Sequence, residues 1–474
     1  MVFIDKAVIV LVYIKRRRNK PRKSAYKVFM EKNLTTGSVW KNLIYFSLPF
    51  LFSYFLQSLY GMADLFITGQ FNTTNSITAV SIGSQVMHML TVMIVGLAMG
   101  TTVNIGHAIG AGDHKRAAET VGNTITLFMT VSVAVTIVMV ALVRPIVSVM
   151  STPAEAVDGT IQYLTICFIG IPFITAYNII SSIFRGLGDS KSPMYFVAIA
   201  CVANIAVDYL FIGWFRLGPA GAALGTTISQ TISVMVALIF MRKRNAAISL
   251  NKACFRPRQA IMKPILKVGI PVALQDGFIQ IAFILITVIA NRRGLDDAAA
   301  VGIVEKVISF LFLVPSTMLS TVSALAAQNI GAGRHNRALK TLRYAVSICV
   351  CFGLVVAIAI QFVAEPVVAV FDETPAVVLA GGQYLRGYIW DCVFAGIHFC
   401  FSGYFCAYGK SGISFLHNIL SILLVRVPGA YLMSKLFVDT LLPMGFAAAA
   451  GSLLSVLICI FAFLYLRKKM PEIS

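Results

Sequence analysis

Apolar residues form twelve long runs in this chain, and short polar connections separate them. The predicted spans are 43–68, 79–102, 119–142, 160–183, 193–214, 218–241, 264–290, 299–325, 342–363, 379–406, 412–435 and 444–466. Runs of about 20 residues match the length at which an α-helix crosses the hydrocarbon core of a bilayer, whereas a barrel strand needs about half as many. Helices of this length also satisfy their backbone hydrogen bonds internally, as lipid requires. The pattern therefore predicts an all-α polytopic membrane protein.

The connections between the predicted spans alternate in character. One set is basic and comprises His114-Lys115-Arg116, Arg185 to Lys191, Arg242 to Lys263, Arg334 to Lys340, Lys410, and Arg467-Lys468-Lys469. The other set is poor in lysine and comprises Asn72 to Asn75, Thr152 to Asp158, Asp296-Asp297, and Glu365 to Glu373. Arg292-Arg293 departs from the pattern only locally. Basic loops mark the cytoplasmic side of a membrane protein, so we expect both termini to be cytoplasmic and the protein to lie in the cell inner (plasma) membrane.

A segment of the first half recurs in the second half. Ile109-Gly110-Ala111-Gly112 returns as Ile330-Gly331-Ala332-Gly333, displaced by 221 residues, and the same offset relates Gln162-Tyr163-Leu164 to Gln383-Tyr384-Leu385. Six spans per half is an even number, so both halves enter the membrane in the same sense. The repeat therefore predicts two six-helix lobes related by a pseudo-two-fold axis along the membrane normal. The Gly-x-Gly element predicts a tight exit from the second and eighth spans.

The repeat also defines the predicted domain organisation. We expect an N-lobe at 41–246, a cytoplasmic linker at 247–263 and a C-lobe at 264–470, preceded by a basic N-terminal extension at 1–40. Residues 1–29 do not belong to the repeat and contain a short apolar stretch, too short to span a bilayer. They are either a basic cytoplasmic tail or untranslated sequence before a start at Met30, and we favour the second interpretation.

Composition excludes several classes of function. Hydrophobic residues make up 58% and charged residues 12% of the chain, so much of the usual polar surface is absent. The net charge of +20 lies in loops and at the ends rather than in a patch, which argues against nucleic-acid binding. The nine cysteines show no Cys-x-x-Cys or Cys/His ligand spacing, and GxxxxGK[ST] is absent. We therefore predict no metal centre, no cofactor, no ATP-driven transport and no enzymatic activity.

Five acidic residues fall inside predicted spans and away from the span ends, where a carboxylate costs about 2.5–3.5 kcal/mol even on lenient scales. They are Asp64, Asp208, Asp276, Glu305 and Asp391. A glycine marks the outer end of both the first and the fifth span. Asp64 lies five residues before Gly69, and Asp208 lies five residues before Gly213. At about 1.5 Å per residue, both lie roughly 8 Å inside the outer boundary.

Three further polar residues of the first half lie at a similar depth. Asn204 precedes Asp208 by one helical turn, while Tyr163 and Thr226 lie on the fourth and sixth spans. Two carboxyl groups sharing a dry site cannot both stay ionised, so one should hold a proton near neutral pH. Alternatively, carboxylate, amide and hydroxyl oxygens suit a hard cation such as sodium at Asp64 and Asp208. The sequence leaves both alternatives open.

Several motifs together resemble a known family. They are Ser47-Leu48-Pro49, Ala63-Asp64-x-x-Ile67-x-Gly69, Ala79-Val80-Ser81-Ile82-Gly83, the two Ile-Gly-Ala-Gly loops, and Arg185-Gly186-Leu187-Gly188-Asp189-Ser190-x-Ser192-Pro193. In this order and spacing they resemble the multidrug and toxic compound extrusion (MATE) family, closest to its DinF-like branch. The resemblance runs from about Leu34 to Arg467.

The resemblance implies a function and a site. It implies an antiporter, coupled to H⁺ or Na⁺, that exports organic cations or amphiphilic drugs and metabolites by alternating access, and we expect a monomer. In the family, an aspartate on the first span and an Asn-x-x-x-Asp on the fifth form a cation-responsive network with a tyrosine and a threonine. Asp64, Asn204 and Asp208 match that pattern, and Tyr163 and Thr226 match it by spacing.

The second half departs from this arrangement. The residues that correspond to Asp64 and Asp208 in the repeat, which we call their repeat mates, are not acidic. Some family members bind sodium there through acids on the seventh and tenth spans, so a second site is possible at Asp276, Glu305, Asp391 and His398. The alternatives are a salt bridge from Asp391 to Arg426 or Arg386, and a histidine that packs between helices.

Two other classes of function remain as alternatives. A lipid-linked precursor flippase of the same superfamily needs a strongly cationic central cavity, and basic residues near the middle of the spans are few, chiefly Arg426 and Arg386. A membrane scaffold without transport would leave the buried acids unexplained.

Overall fold

The structure is a computed structural model that describes residues 33–243 and 251–469, so residues 1–29 and the proposed start at Met30 lie outside the described residues. The regular elements of the described residues are helices. The first six spans are Val39–Phe71, Thr74–Gly110, His114–Ala141, Val157–Ile169 with Ile171–Gly186, Lys191–Asp208 with Tyr209–Trp214, and Gly218–Lys243. The last six are Gln259–Asn291, Leu295–Leu311 with Leu313–Gly331, His335–Ala369, Pro375–Tyr388 with Asp391–Ala407, Ser411–Ser421 with Ile422–Arg426 and Val427–Leu436, and Leu442–Lys469. Short helices at Val143–Val149, Ala154–Ala156 and Lys252–Phe255 lie in the connections.

Twelve spans result when the fourth and the tenth are each counted as one bent span. The fourth bends by 49° at Gly170, and the tenth by 40° between Tyr388 and Asp391. Pro172 follows the first break, and a proline cannot donate the backbone hydrogen bond that would continue the preceding helix. The predicted twelve-span all-α architecture is confirmed, but both bends are additions to it.

Two separate apolar cores show that the chain packs as two lobes. One core lies wholly within the first six spans and includes Val80, Leu164 and Phe168. Another lies wholly within the last six spans and includes Val304 and Leu385. The two-lobe prediction is therefore confirmed, while the lobe limits at 41–246 and 264–470 stay predictions.

The lobes meet at the ends that carry the basic loops, which we call the basic face, and two equivalent hydrogen bonds join them there. His107 Nε2 of the second span donates to the carbonyl oxygen of Ala407 at 2.7 Å. Gln328 Nε2 of the eighth span donates to the carbonyl oxygen of Gly186 at 3.0 Å. Gln328 and Ala407 are the repeat mates of His107 and Gly186, 221 residues along the chain. The pseudo-two-fold symmetry thus extends to individual hydrogen bonds.

The segment before the first span is also fastened to the second lobe at the basic face. Arg337 Nη1 donates to the carbonyl oxygen of Gly37 at 2.9 Å, and Arg334 Nη1 donates to that of Thr35. The backbone N–H of Leu34 donates to Gln328 Oε1 at 3.3 Å. In this arrangement the basic face is closed, and the first span begins from a fixed position.

Candidate functional site

The first span places Asp64 inside the first lobe. This side chain is 4% exposed, although it lies in a helix whose other face carries the exposed apolar side chains Met62 and Phe66. The hydroxyl group of Thr226, on the sixth span, donates to Asp64 Oδ2 at 3.0 Å. One predicted pair of site residues is therefore joined directly.

The fifth span brings Asp208 to the same place. Asp208 and Asn204 are both 0% exposed, and each lies close enough to Asp64 for their side chains to interact. Asp208 ends the regular α-helix, and the chain continues as a π-helical turn from Tyr209 to Trp214. Such wide turns are frequent at functional sites, because they redirect the side chains that flank them.

The two carboxyl groups are short of hydrogen-bond donors. Among the described residues, Asp64 Oδ1 and both carboxyl oxygens of Asp208 have no hydrogen-bond partner, and the side-chain amide of Asn204 lies near both carboxyl groups without forming a hydrogen bond to either. Ionised carboxylate oxygens accept hydrogen bonds but cannot donate them, so two of them cannot satisfy each other. A buried arrangement of this kind is stable only when positive charge joins it.

The sixth span approaches Asp208 closely at Gly225. A Cβ atom added there would overlap Asp208 Oδ1 and would lie 3.5 Å from Asn204 Nδ2. Glycine is therefore the residue that lets the helix carrying Thr226 pass next to the carboxyl pair. Sequence reasoning did not select this position, because glycine is common in membrane helices.

Tyr163 lies beside the pair rather than in direct contact with it. Its buried ring packs against Gly83 of the second span, where a Cβ atom would overlap it. The phenol lies in the neighbourhood of both Asp64 and Asp208, and its hydroxyl group is near the thiol of Cys167. All five predicted N-lobe residues thus lie in one region, with Tyr163 at its edge.

Tyr60 and Gln230 belong to the same region, and sequence reasoning missed them. Gln230 Nε2 donates to the Tyr60 hydroxyl group at 3.4 Å. Tyr60 is one helical turn before Asp64, and Gln230 is one turn after Thr226, so the first and sixth spans face each other over two successive polar pairs. The four-residue spacing from Tyr60 to Asp64 and from Thr226 to Gln230 is the sequence feature that could have identified them.

The side chains around Asp64 and Asp208 are suited to binding a small cation. Two carboxylates, the Asn204 amide and the Thr226 hydroxyl group are oxygen donors of the kind that sodium prefers. The same carboxyl pair is also suited to sharing one proton, since two neighbouring like charges disfavour double ionisation. Either cation would supply the positive charge that the buried oxygens lack.

In the second lobe Asp391 is already paired with a cation. Arg426 Nη2 donates to Asp391 Oδ2 and is 3.3 Å from the hydroxyl group of Ser452. Arg386, the other predicted partner of Asp391, instead forms a two-pronged salt bridge with Glu365, with both N–O distances at 2.5 Å. The predicted salt bridge between Asp391 and Arg386 was therefore wrong. The depth of a residue in the membrane does not determine which neighbouring span its long side chain contacts.

The four residues of the possible second site do not assemble. Glu305 accepts a hydrogen bond from Thr287 at 3.2 Å, and the His398 ring packs edge-on against His417 with centroids 5.3 Å apart. Asp276 lies against the backbone of the second span at Gly96, where a Cβ atom would be 2.7 Å from its Oδ2. Within residues 33–243 and 251–469, no three His, Cys, Asp or Glu side chains are placed to hold a metal ion.

Known proteins resemble this chain in sequence and in fold. The MatE family profile matches residues 49–210 and again residues 271–432. The probable multidrug resistance protein YoeA of Bacillus subtilis is 25% identical over 445 residues, which cover 92% of this chain and 96% of that protein. The probable multidrug resistance protein YpnP of Bacillus subtilis is 29% identical over 403 residues, covering 85% and 90%.

Solved structures share the whole fold. Crystal structures of a MATE protein in a straight and in a bent conformation each superpose with a TM-score of 0.85 at 23% identity, covering 95% of this chain and 99% of theirs. The profile matches both halves of the chain at corresponding positions, as expected for a duplicated unit. The chain therefore belongs to the MATE family of multidrug efflux transporters, which are polytopic membrane proteins that move small molecules and are not enzymes.

Proposed function

We propose that this protein is an antiporter that exports organic cations or amphiphilic compounds in exchange for H⁺ or Na⁺. The observation that carries the proposal is the buried pair Asp64 and Asp208, in which three of the four carboxyl oxygens have no donor among the described residues. A coupling cation entering the first lobe offsets negative charge on this pair. In the second lobe, by contrast, Asp391 and Glu365 each have an arginine partner.

Coupling requires that the cation and the exported compound stabilise different states of the transporter. The first span is the element that can carry this difference, since it holds Asp64 and contains Pro49 in its interior. A proline inside a helix removes one backbone hydrogen bond and permits bending. Crystal structures of a MATE protein with the same fold include a straight and a bent conformation, so bending occurs in this fold. We propose that neutralisation of Asp64 changes the bend or the packing of the first span.

We propose further that the basic face is cytoplasmic and that the protein acts as a monomer in the inner membrane. The concentration of Lys and Arg in the loops at this face supports the orientation. In this orientation, the structure is closed towards the cytoplasm, and the Asp64–Asp208 pair is nearer the outer side. A coupling cation then reaches the pair from outside, which is the direction that antiport requires.

Dye efflux from proteoliposomes tests the proposal. Purified protein is reconstituted with ethidium inside, and inward H⁺ and Na⁺ gradients are imposed separately. We expect one gradient to accelerate wild-type efflux, while Asp64→Asn and Asp208→Asn each abolish the acceleration. Glu155→Gln, which neutralises an exposed acid in the 150–156 connection, serves as the matched control and should behave like wild type.

The identity of the effective gradient decides between H⁺ and Na⁺. Gradient-driven efflux that persists in both Asp64→Asn and Asp208→Asn contradicts the assignment of the coupling pair. Wild-type efflux that responds to neither gradient contradicts antiport itself.

A further inference from the structure

Beside the hydrogen bonds that join the lobes, the basic face contains a cleft of about 660 Å³ that is lined by residues of both lobes. Its wall from the first lobe includes His107 and Arg116, and its wall from the second lobe includes Lys263, Lys267 and Lys410. The cleft is distinct from the Asp64–Asp208 pair, which lies within the first lobe alone. Residues from both lobes therefore surround one cationic space at the membrane boundary.

The cationic side chains of the cleft are held close together by the fold. Lys263 and Lys267 are one helical turn apart on the seventh span. The hydroxyl group of Ser411 donates to the carbonyl oxygen of Lys267 at 3.0 Å, which fixes Lys410 next to that turn. Three lysines of the second lobe thus face Arg116 of the first.

Two acids lie in or near the cleft, Asp113 in its wall and Glu119 close by, and neither forms a salt bridge with the cations of the cleft. Asp113 caps the third span by accepting a hydrogen bond from the backbone N–H of Arg116 at 2.9 Å. Glu119 forms a salt bridge with Arg258 at 2.7 Å. Within residues 33–243 and 251–469, no carboxylate forms a salt bridge with Arg116, Lys263, Lys267 or Lys410. Four cations and the single carboxylate of Asp113 line the cleft, so it has a net positive charge that favours the binding of an anion.

The base of the cleft is apolar. The buried side chains of Val103, Ala108 and Val268 form its lining beneath the basic rim. A basic rim over apolar walls, between membrane helices on the basic side, is the setting in which anionic headgroups bind. The combination suits a ligand that presents a phosphate group to the lysines.

We propose that this cleft binds a phosphate anion, carried by an anionic phospholipid headgroup or by a soluble phosphate compound. The ligand contacts Arg116 of one lobe and the three lysines of the other. It therefore stabilises the arrangement in which the basic face is closed, because opening that face separates the two sets of cations. The site regulates the conformational equilibrium and takes no part in cation coupling.

Binding is tested by isothermal titration calorimetry on the purified full-length protein. The probes are dihexanoylphosphatidylglycerol, the zwitterionic dihexanoylphosphatidylcholine and inorganic pyrophosphate. The test variant combines Lys263→Gln, Lys267→Gln and Lys410→Gln. The control variant removes three exposed cations elsewhere, through Lys340→Gln, Arg343→Gln and Lys468→Gln.

We expect the phosphatidylglycerol probe to bind wild type with an affinity that falls as salt is added, because salt screens exposed charges. A lysine near an anionic membrane surface contributes about fivefold in affinity, so the test variant should bind about a hundredfold more weakly. The control variant should stay within about twofold of wild type, since its cations lie outside the cleft. Pyrophosphate that competes with the lipid shows that phosphate alone suffices, whereas lipid binding without competition assigns the site to a headgroup.

A second readout checks the bridging of the lobes. The bound probe should slow amide hydrogen exchange in residues 104–111 and 328–333 of wild type, and not in the test variant. The proposal is overturned if neither the phosphatidylglycerol probe nor pyrophosphate binds wild type, if the test variant binds as tightly as the control variant, or if phosphatidylcholine binds as tightly as phosphatidylglycerol. Thermal unfolding of both variants establishes that they are folded.

Discussion

Thr226 and Thr227 are neighbours on the sixth span, and their hydroxyl groups have different surroundings. Thr226 donates to Asp64 Oδ2 at 3.0 Å, whereas the buried hydroxyl group of Thr227 has no partner among the described residues. A hydrogen bond to a charged group contributes about 1.5–3 kcal/mol, and an unsatisfied hydroxyl group contributes nothing favourable. The two positions therefore form a matched pair for testing the cation site.

Thr226→Val should lower gradient-driven efflux about tenfold or more, because it removes both a donor to Asp64 and an oxygen near the bound cation. Thr227→Val should leave efflux within about twofold of wild type. Initial rates of ethidium efflux from proteoliposomes at one fixed gradient measure both. Equal losses in the two variants would show that packing of the sixth span, and not the Asp64 contact, is what matters.

Gly225→Ala should abolish gradient-driven efflux with moderate loss of stability. The new methyl group would overlap Asp208 Oδ1, so the carboxyl group or the helix must move, and overpacking costs about 1–3 kcal/mol. Gly302→Ala is the control, because a Cβ atom there meets nothing within 4 Å and alanine favours helices by about 0.5–1 kcal/mol. Thermal unfolding and efflux are measured together. Full efflux by Gly225→Ala would contradict the placement of Asp208 against the sixth span.

The tenth and eleventh spans are joined by a buried ion pair. Arg426 ends a π-helical turn, Ile422–Arg426, and reaches Asp391 at the start of the second segment of the tenth span. Pro428 follows the turn closely, and its missing N–H is consistent with an irregular helix at this point. The pair holds a broken span against an irregular one, and both charges are nearly inaccessible.

Arg426→Met should lower the free energy of unfolding by about 3–5 kcal/mol, since it leaves the Asp391 carboxylate buried without a counter-charge. The double variant Asp391→Leu with Arg426→Met should recover most of this loss, because an apolar pair of similar volume replaces both charges. Thermal unfolding in detergent gives the stabilities. We also expect the double variant to retain gradient-driven efflux. A double variant that is folded but uncoupled would assign the pair a role in cation exchange.

The elements differ in how far the sequence predicts them. Apolar runs of membrane length determine the twelve spans, because burial in lipid leaves few other solutions. The bend at Gly170 has a local cause in Gly170 and Pro172, whereas the bend after Tyr388 has a glycine beside it, Gly387, but no proline. The latter depends on packing against the rest of the lobe, which a local pattern does not contain.

The same distinction applies to the candidate site. Asp64 and Asp208 are conspicuous in apolar runs because each carries a large transfer cost, and Asn204 follows from helical spacing. Tyr60 and Gln230 carry no comparable cost, and Gly225 acts only through the space it leaves. Arg386 was assigned the wrong partner. It pairs with Glu365 on a neighbouring span, and the depth of a residue in the membrane does not identify which span it contacts.

At the scale of the whole molecule, the doubled motif is a contact between the two lobes. The glycines at Gly110 and Gly331 are repeat mates, and each lies against the other half of the molecule. A Cβ atom at Gly110 would overlap the carbonyl oxygen of Gln328, and one at Gly331 would overlap that of His107. The later glycines of the motif, Gly112 and Gly333, have φ of 71° and 69° and turn the chain. One glycine of each copy therefore permits lobe contact, and the other permits the loop.

Gly110→Ala and Gly331→Ala should each weaken closure of the basic face, because a methyl group at either position separates His107 from Ala407 or Gln328 from Gly186. Symmetry predicts similar effects for the two variants and a larger effect when they are combined. We expect amide hydrogen exchange in residues 321–331 to become about tenfold faster or more, because opening the basic face exposes the buried residues of the eighth span to water. Gly412→Ala is the control, because a Cβ atom there meets nothing within 4 Å, and it should not change exchange. Protection that is unchanged in the combined variant would mean that the lobes are held together by contacts other than those at the repeated motif. An effect confined to one of the two single variants would show that the lobes open about an axis other than the pseudo-two-fold.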